Sequence, residues 1–218
     1  MCKRKPFNYQ FLPHFMKTLF IPAKVKAKVN KEKIKSLSKK LPKNIAIAYS
    51  IQYKDVALEV KSALSCNITQ ITQVLGCSKP SFPKNTQAIL LIGSGRFHAL
   101  ALASETNLPI YILERDKLSE IPKEEIESFQ KSKKASYLKF LNADSIGILV
   151  STKPGQENLK KALILKNKIK DKKSYLFISN NLNPAEFENF GLESWVNTTC
   201  PRLDMDSHTI NIEDLNLS

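Results

Sequence analysis

Close cysteine pairs are missing from this 218-residue sequence. Its four cysteines, Cys2, Cys66, Cys77 and Cys200, form no Cys-x-x-Cys repeat, which excludes a zinc knuckle or a local redox pair. Long apolar runs are missing as well, and none approaches the roughly 18 to 20 residues needed to span a bilayer. The start, Met1-Cys2-Lys3-Arg4-Lys5, is basic, yet no apolar core or small-residue cleavage site follows it. A cytoplasmic protein with no membrane partner is expected, its cysteines reduced and free to act as ligands. Acids are scarce at one end only. Residues 1–43 hold thirteen Lys or Arg against the single Glu32, whereas the rest of the chain carries 21 bases and 19 acids. Such an arm meets RNA or an acidic protein by long-range attraction, or it is a solvated lysine-rich face. No RGG-type repeat accompanies it. The solvated reading is therefore taken, and nucleic acid is not counted among the partners.

What is present is an alternation of β-prone and amphipathic stretches, which argues for parallel sheets. Residues 44–50 and 87–93 are continuous apolar runs of the kind buried in a parallel sheet. Strands are also expected at 17–24, 67–72, 109–114, 144–152, 174–180 and 194–199. Helices are expected at 29–41, 56–64, 99–105, 124–141, 156–168 and 184–190. The fold class is α/β, as two small Rossmann-like units, each a parallel sheet flanked by helices. The expected divisions are an aromatic and basic segment at 1–16, a first α/β domain at 17–120, a linking helix at 121–143 and a second α/β domain at 144–218.

Two cysteines share a layout. Cys200 follows a β-prone run and precedes Pro201, which cannot continue a ladder, with Arg202, Asp204 and Asp206 just beyond. Cys77 follows another β-prone run through Gly76 and precedes Pro80. Residues just past a strand's carboxyl end line the ligand crevice of a parallel sheet. Each thiol is either a small buried core residue or one of two ligands holding a cofactor between the units. Gly93-Ser94-Gly95-Arg96-Phe97-His98 offers backbone N–H groups and the Arg96 cation to an anion at a helix start. It lacks the third glycine of a dinucleotide fingerprint, so a plain tight turn fits equally well. Cys66 reads as a core residue at a strand start, and Cys2 as part of a tail.

Val74-Leu75-Gly76-Cys77, Gly93-Ser94-Gly95-Arg96-Phe97-His98 and Val196-Asn197-Thr198-Thr199-Cys200-Pro201-Arg202-Leu203, in that order, resemble the diphthamide synthase family. Tyr49-Ser50-Ile51-Gln52-Tyr53 resembles a further segment of it, and the likeness runs from about residue 17 to 206. The resemblance implies a chain of three similar α/β domains, each giving one Cys to a 4Fe-4S cluster. The open iron of that cluster holds S-adenosylmethionine, whose 3-amino-3-carboxypropyl group goes to a histidine of translation elongation factor 2. Carried onto this sequence, Cys77 and Cys200 are metal ligands. Gly93, Gly95, Arg96, His98, Gln156 and Arg202 become cofactor-pocket residues. Two departures follow from the same comparison. Ser94 stands where the family has an acid, and the family's first domain, with its cysteine, is not recognised. The expectation is therefore a split synthase whose third cysteine comes from a separate domain or a second chain. Two other readings are a non-catalytic subunit of the same complex and a basic ribosome- or RNA-associated α/β protein.

Overall fold

A computed structural model of the chain describes residues 19, 21, 23–75, 78–204 and 209–215. Residues 1–16, Cys77 and Asp206, all singled out in the sequence, lie outside the described residues. Among the described residues two sheets form. The first has strand order β2-β1-β3-β4-β5, from β1 (Asn44–Tyr49), β2 (Asn67–Gln73), β3 (Ala88–Ile92), β4 (Ile110–Glu114) and β5 (Lys117–Glu120). The second has order β7-β6-β8-β9, from β6 (Ser145–Ser151), β7 (Lys173–Ser179), β8 (Ser194–Asn197) and β9 (Ile210–Asn211). Every pairing is parallel except β4 with β5. The α/β class read from the sequence is the class observed. No described helix is long and apolar enough to cross a membrane.

The first sheet is buried on both faces, which is why β1 and β3 read as unbroken apolar runs. Ile45, Ile47, Leu90 and Ile92 point to the side of α1 (Lys31–Ser38) and α2 (Lys54–Ala63). Ala46, Ala48, Ile89 and Leu91 point to the side of α3 (Arg96–Thr106). The long helix α4 (Lys123–Asn142) serves both sheets. Its Ile126 and Phe129 pack on the first core, while Phe140 and Tyr137 pack on the second. On the second sheet Ile146, Ile148, Val150 and Val196 face α4 and α5 (Leu159–Lys168). The other face carries an aromatic layer: the Trp195 indole stacks on Phe187 at 4.9 Å and tilts against Phe177 at 4.8 Å.

Three expectations are corrected, and two strands are added. The strand expected at 17–24 is not seen among its described residues: Leu19, Ile21, Ala23 and Lys24 are exposed and outside any strand. α3 starts at Arg96 rather than at 99, because Gly95 takes φ +89° and serves as the helix cap. α5 starts at Leu159 rather than at 156, because Gly155 (φ +79°) opens another turn first. β5 and β9 were not expected. β5 has no apolar run and exists through antiparallel pairing to β4, and β9 is two residues long.

Candidate functional site

Both sheets place their strands in the same order, second-first-third-fourth, so each reverses between its first and third strands. Ligands of open α/β sheets collect beyond the carboxyl ends of the strands at that reversal. The two reversals face one another across a cleft of about 740 Å³. From the first unit come Leu75 and residues 94–98, just past β3. From the second come Gly155, Gln156, Asn158 and Lys161, residues 197–202 past β8, and residues 211–213.

The second wall is built around one amide. Asn197 ends β8 with its side chain buried. Its Nδ2 donates to the carbonyl of Cys200 at 2.8 Å and to Asn211 Oδ1 at 2.7 Å. Its Oδ1 accepts from the backbone N–H of Thr199 at 2.9 Å and from Thr199 Oγ1 at 2.8 Å. Thr198 Oγ1 donates to the carbonyl of Leu149 at 2.7 Å, and Asn158 Nδ2 donates to the carbonyl of Thr198 at 2.8 Å. The backbone that carries Cys200 is thus pinned from both neighbouring strands. Cys200 itself is half-buried on the cleft wall. An Asn at a strand end, followed by hydroxyl residues, is a local signal for such a side-chain-built turn. That signal was present in the sequence and its structural role was not drawn from it. Asn158, Lys161, Asn211, Ile212 and Glu213 complete the wall from separate elements, and only the fold brings them there.

On the first wall, α3 begins at Gly95 without a side-chain cap bond, so its leading N–H groups have no side-chain partner at the cap. A Cβ on Gly95 meets nothing within 4 Å, yet φ +89° disfavours any L side chain there. Gly93 sits against Ser50 Oγ, 3.5 Å from where its Cβ would lie. Arg96 lines the cleft but is not free: its guanidinium meets Glu125 of α4 at 2.8 Å. His98 is held mainly neutral, first by burial and then by the positive charge of Arg202 in the opposite unit. Gln156 lines the cleft from the turn that precedes α5. Of Asp204 only the backbone is described, in the short helical turn at Pro201–Asp204.

The cysteine layout needs a correction of its own. Cys200 follows β8, the third strand of its unit; Cys77 follows β2, the second strand of its own. By strand order the counterpart of Cys200 is therefore the Gly93 to Arg96 turn after β3. The two cysteines are not equivalent positions of a repeat. Both nevertheless follow carboxyl ends of strands, and Leu75, two residues before Cys77, lines the cleft that holds Cys200. Cys66 is placed differently. It precedes β2 at the amino end of the sheet, its thiol donates to the carbonyl of Ser38 at 3.6 Å, and burial pushes its pKa up. The length of β2, roughly 20 Å for seven residues, separates it from the cleft edge.

The chain matches the family model for diphthamide synthesis proteins over residues 8–210. The chain belongs to the diphthamide synthesis protein family. It is 29% identical over 220 residues to the 2-(3-amino-3-carboxypropyl)histidine synthase of Pyrococcus horikoshii, covering 92% of this chain and 63% of that one. The crystal structure of Dph2 from Pyrococcus horikoshii superposes with a TM-score of 0.71 at 27% identity, over 89% of this chain and 63% of that chain. The same protein solved with a 4Fe-4S cluster gives a TM-score of 0.66 at 27% identity, over 84% of this chain and 60% of that one. This member thus spans about three fifths of the length of these relatives.

A 4Fe-4S cluster requires thiolate donors, and a diphthamide-family cleft with a pinned Cys200 on its wall fits that chemistry. Among the described residues no three His, Cys, Asp or Glu side chains converge, so a full ligand set needs sulfur from beyond them.

Two outcomes follow from the placement. Cys66→Ala is expected to cost about 1 kcal/mol of stability and to leave iron loading unchanged, because it removes only a small, partly buried side chain. Thermal melting beside iron analysis of the loaded protein checks both parts. The second concerns pH. His98 has a folded pKa below its ordinary value of 6.5. As the pH falls through that value the unfolded chain takes up a proton that the folded chain refuses, so stability declines on the acid side. Arg202→Gln removes the second cause and is expected to raise the His98 pKa. A proton NMR titration of the imidazole would show this, and an unchanged midpoint would mean that Arg202 does not act on His98.

Proposed function

We propose that this chain is a component of a 4Fe-4S, S-adenosylmethionine-dependent diphthamide synthase. It would transfer a 3-amino-3-carboxypropyl group to a histidine of translation elongation factor 2, the first step of diphthamide biosynthesis. The observation that carries the reading is the cleft between the two strand reversals, with Cys200 pinned on one wall and the chain leading to Cys77 on the other. Cys77 and Cys200 are the cluster ligands in this chain, and a third thiolate comes from a separate domain or a second chain. When bound, the cluster supplies the electron that cleaves a carbon–sulfur bond of S-adenosylmethionine.

The remaining work belongs to the protein. The uncapped start of α3 beyond Gly93 and Gly95 offers backbone N–H groups to the substrate carboxylate. Arg202 supplies a fixed cation from the opposite wall. His98, kept neutral, orients a polar group by hydrogen bonding without adding charge. Gln156 closes the second side of the pocket. One observation favours the alternative of a non-catalytic subunit: the Arg96 guanidinium is engaged by Glu125 and is not free for substrate.

Label transfer tests the reading and separates these two. The protein is purified anaerobically from its own cells with its bound partners, then given dithionite, elongation factor 2 and S-adenosylmethionine labelled in the aminocarboxypropyl carbons. Label on a histidine of the factor, lost on Arg202→Ala in this chain, supports the enzymatic component. Label that survives removal of every pocket side chain of this chain supports the non-catalytic subunit. An iron-loaded complex that leaves the factor unlabelled contradicts the proposal.

A further inference from the structure

The lysines of residues 24–43 face solvent together. Lys24, Lys26, Lys28, Lys31, Lys33, Lys35, Lys39, Lys40 and Lys43 are all exposed, and Glu32 is the one acid among these twenty residues. Residues 25–29 are an extended strap tied to the first unit by the Val25 N–H donating to the Gln52 carbonyl at 2.9 Å. Val25, Ala27 and Val29 turn inward while the lysines between them turn out. The strap lies beside Tyr53, Ile92 and Leu113 and runs into α1, whose buried Ile34 fixes that helix on the side of the sheet opposite α3. Charges therefore recur about every 6 to 7 Å along strap and helix, and none of these lysines lines the cleft.

A merely solvated face explains this arrangement poorly. Lys31, Lys35 and Lys39 follow one another at helical i, i+4 spacing, where like charges repel, and Lys31 and Lys33 sit in the first turn of α1 against the helix dipole. Only Lys24 and Lys33 of the nine meet a carboxylate among the described residues, Asp55 at 2.9 Å and Asp116 at 3.5 Å. Nor is a general lysine bias of the chain the reason. Beyond residue 43 the same sequence balances 21 bases with 19 acids.

We propose that this ridge is a docking surface for the phosphate backbone of double-stranded RNA. Lysine is a point charge that neutralises phosphates without demanding a fixed fork geometry. Residues 24–43 contain no aromatic side chain, so the lysines are not interleaved with the rings on which single-stranded bases stack. The choice of RNA over DNA rests on the proposed function, whose acceptor is a translation factor; the phosphate recognition does not.

The experiment is fluorescence anisotropy of the 218-residue chain with a labelled RNA duplex of about two helical turns, read without any transfer assay. With about five phosphates neutralised, affinity should fall ~500-fold between 50 and 200 mM salt. Changing Lys26, Lys28, Lys31, Lys35 and Lys39 together to Gln should weaken binding at low salt at least ~10-fold and flatten the salt slope. The same change at Lys131, Lys134, Lys139, Lys160 and Lys170, which are exposed elsewhere, should do much less and controls for net charge. Equal losses from both sets would overturn the proposal, as would the absence of duplex binding. A DNA duplex bound as tightly through the same lysines overturns the choice of RNA, and a poly-glutamate peptide bound as tightly assigns the ridge to an acidic protein instead. None of these outcomes depends on whether the chain transfers an aminocarboxypropyl group.

Discussion

Cys200→Ala is expected to abolish the iron–sulfur chromophore of the loaded complex, with bound iron falling at least ~10-fold, while the fold survives. The fold survives because the loop does not depend on the thiol. Asn197, Thr198 and Thr199 fix its backbone through their own side chains and through carbonyls, including that of residue 200, which alanine retains. The site fails because no described side chain on that wall can replace a soft sulfur donor. Asn, Thr and Arg line the cleft around it, and Arg offers no lone pair. Anaerobic absorbance, electron paramagnetic resonance and iron analysis, read beside an unchanged melting temperature, check the two halves separately. Intact cluster signals in Cys200→Ala would remove Cys200 from the ligand set.

The second large effect concerns the fold beneath that wall. Gly147 of β6 lies directly opposite Trp195 of β8, and a Cβ at residue 147 would overlap the indole Cε3 and Cζ3 atoms. Neither partner can yield cheaply. β6 is the buried central strand, and the indole is held between Phe187 and Phe177. Gly147→Ala is therefore expected to cost about 3 kcal/mol, the upper end for overpacking. For a chain of this size that lowers the melting temperature by roughly 6 to 12 °C. Trp195→Leu in the same chain should relieve part of the clash, so the double variant should melt higher than the sum of the two single losses predicts. A Gly147→Ala protein melting within a degree of the parent would show that the indole is not seated over the strand.

Much of this was legible locally. β1 and β3 are read from continuous apolar runs because both faces of a central strand are buried. The Cys200 turn is read because Pro201 cannot extend β8 and because polar residues crowd its exit. The helix starts were misjudged where a glycine at positive φ, Gly95 or Gly155, sets the entry to the helix, a choice that apolar periodicity does not encode. The expected strand at 17–24 has the right residue types, but Leu19 and Ile21 find no partner strand. Strand order is the least local property of all. Cys77 and Cys200 look alike in sequence because each ends a β-prone run before a proline. Only the order of the strands reveals that they close different strands of their units, and that the turn matching Cys200 is the one at Gly95. The pocket residues Asn158, Lys161 and Glu213 arrive from α5 and the β9 edge for the same reason. Nothing near them in sequence announces a site.

The proposed cluster requires the Cys77 and Cys200 thiols to approach one another. Two ligands of one 4Fe-4S cluster hold their sulfurs within about 6 to 7 Å. A short bifunctional thiol reagent applied to the reduced, iron-free chain, with Cys2 and Cys66 changed to Ser, tests that approach directly. An intramolecular bridge between the peptides carrying Cys77 and Cys200 is expected, seen by mass spectrometry and lost in either single Cys→Ser variant. Complete single-ended modification of both thiols with no bridge would place them on separate surfaces and rule out a cluster shared between them.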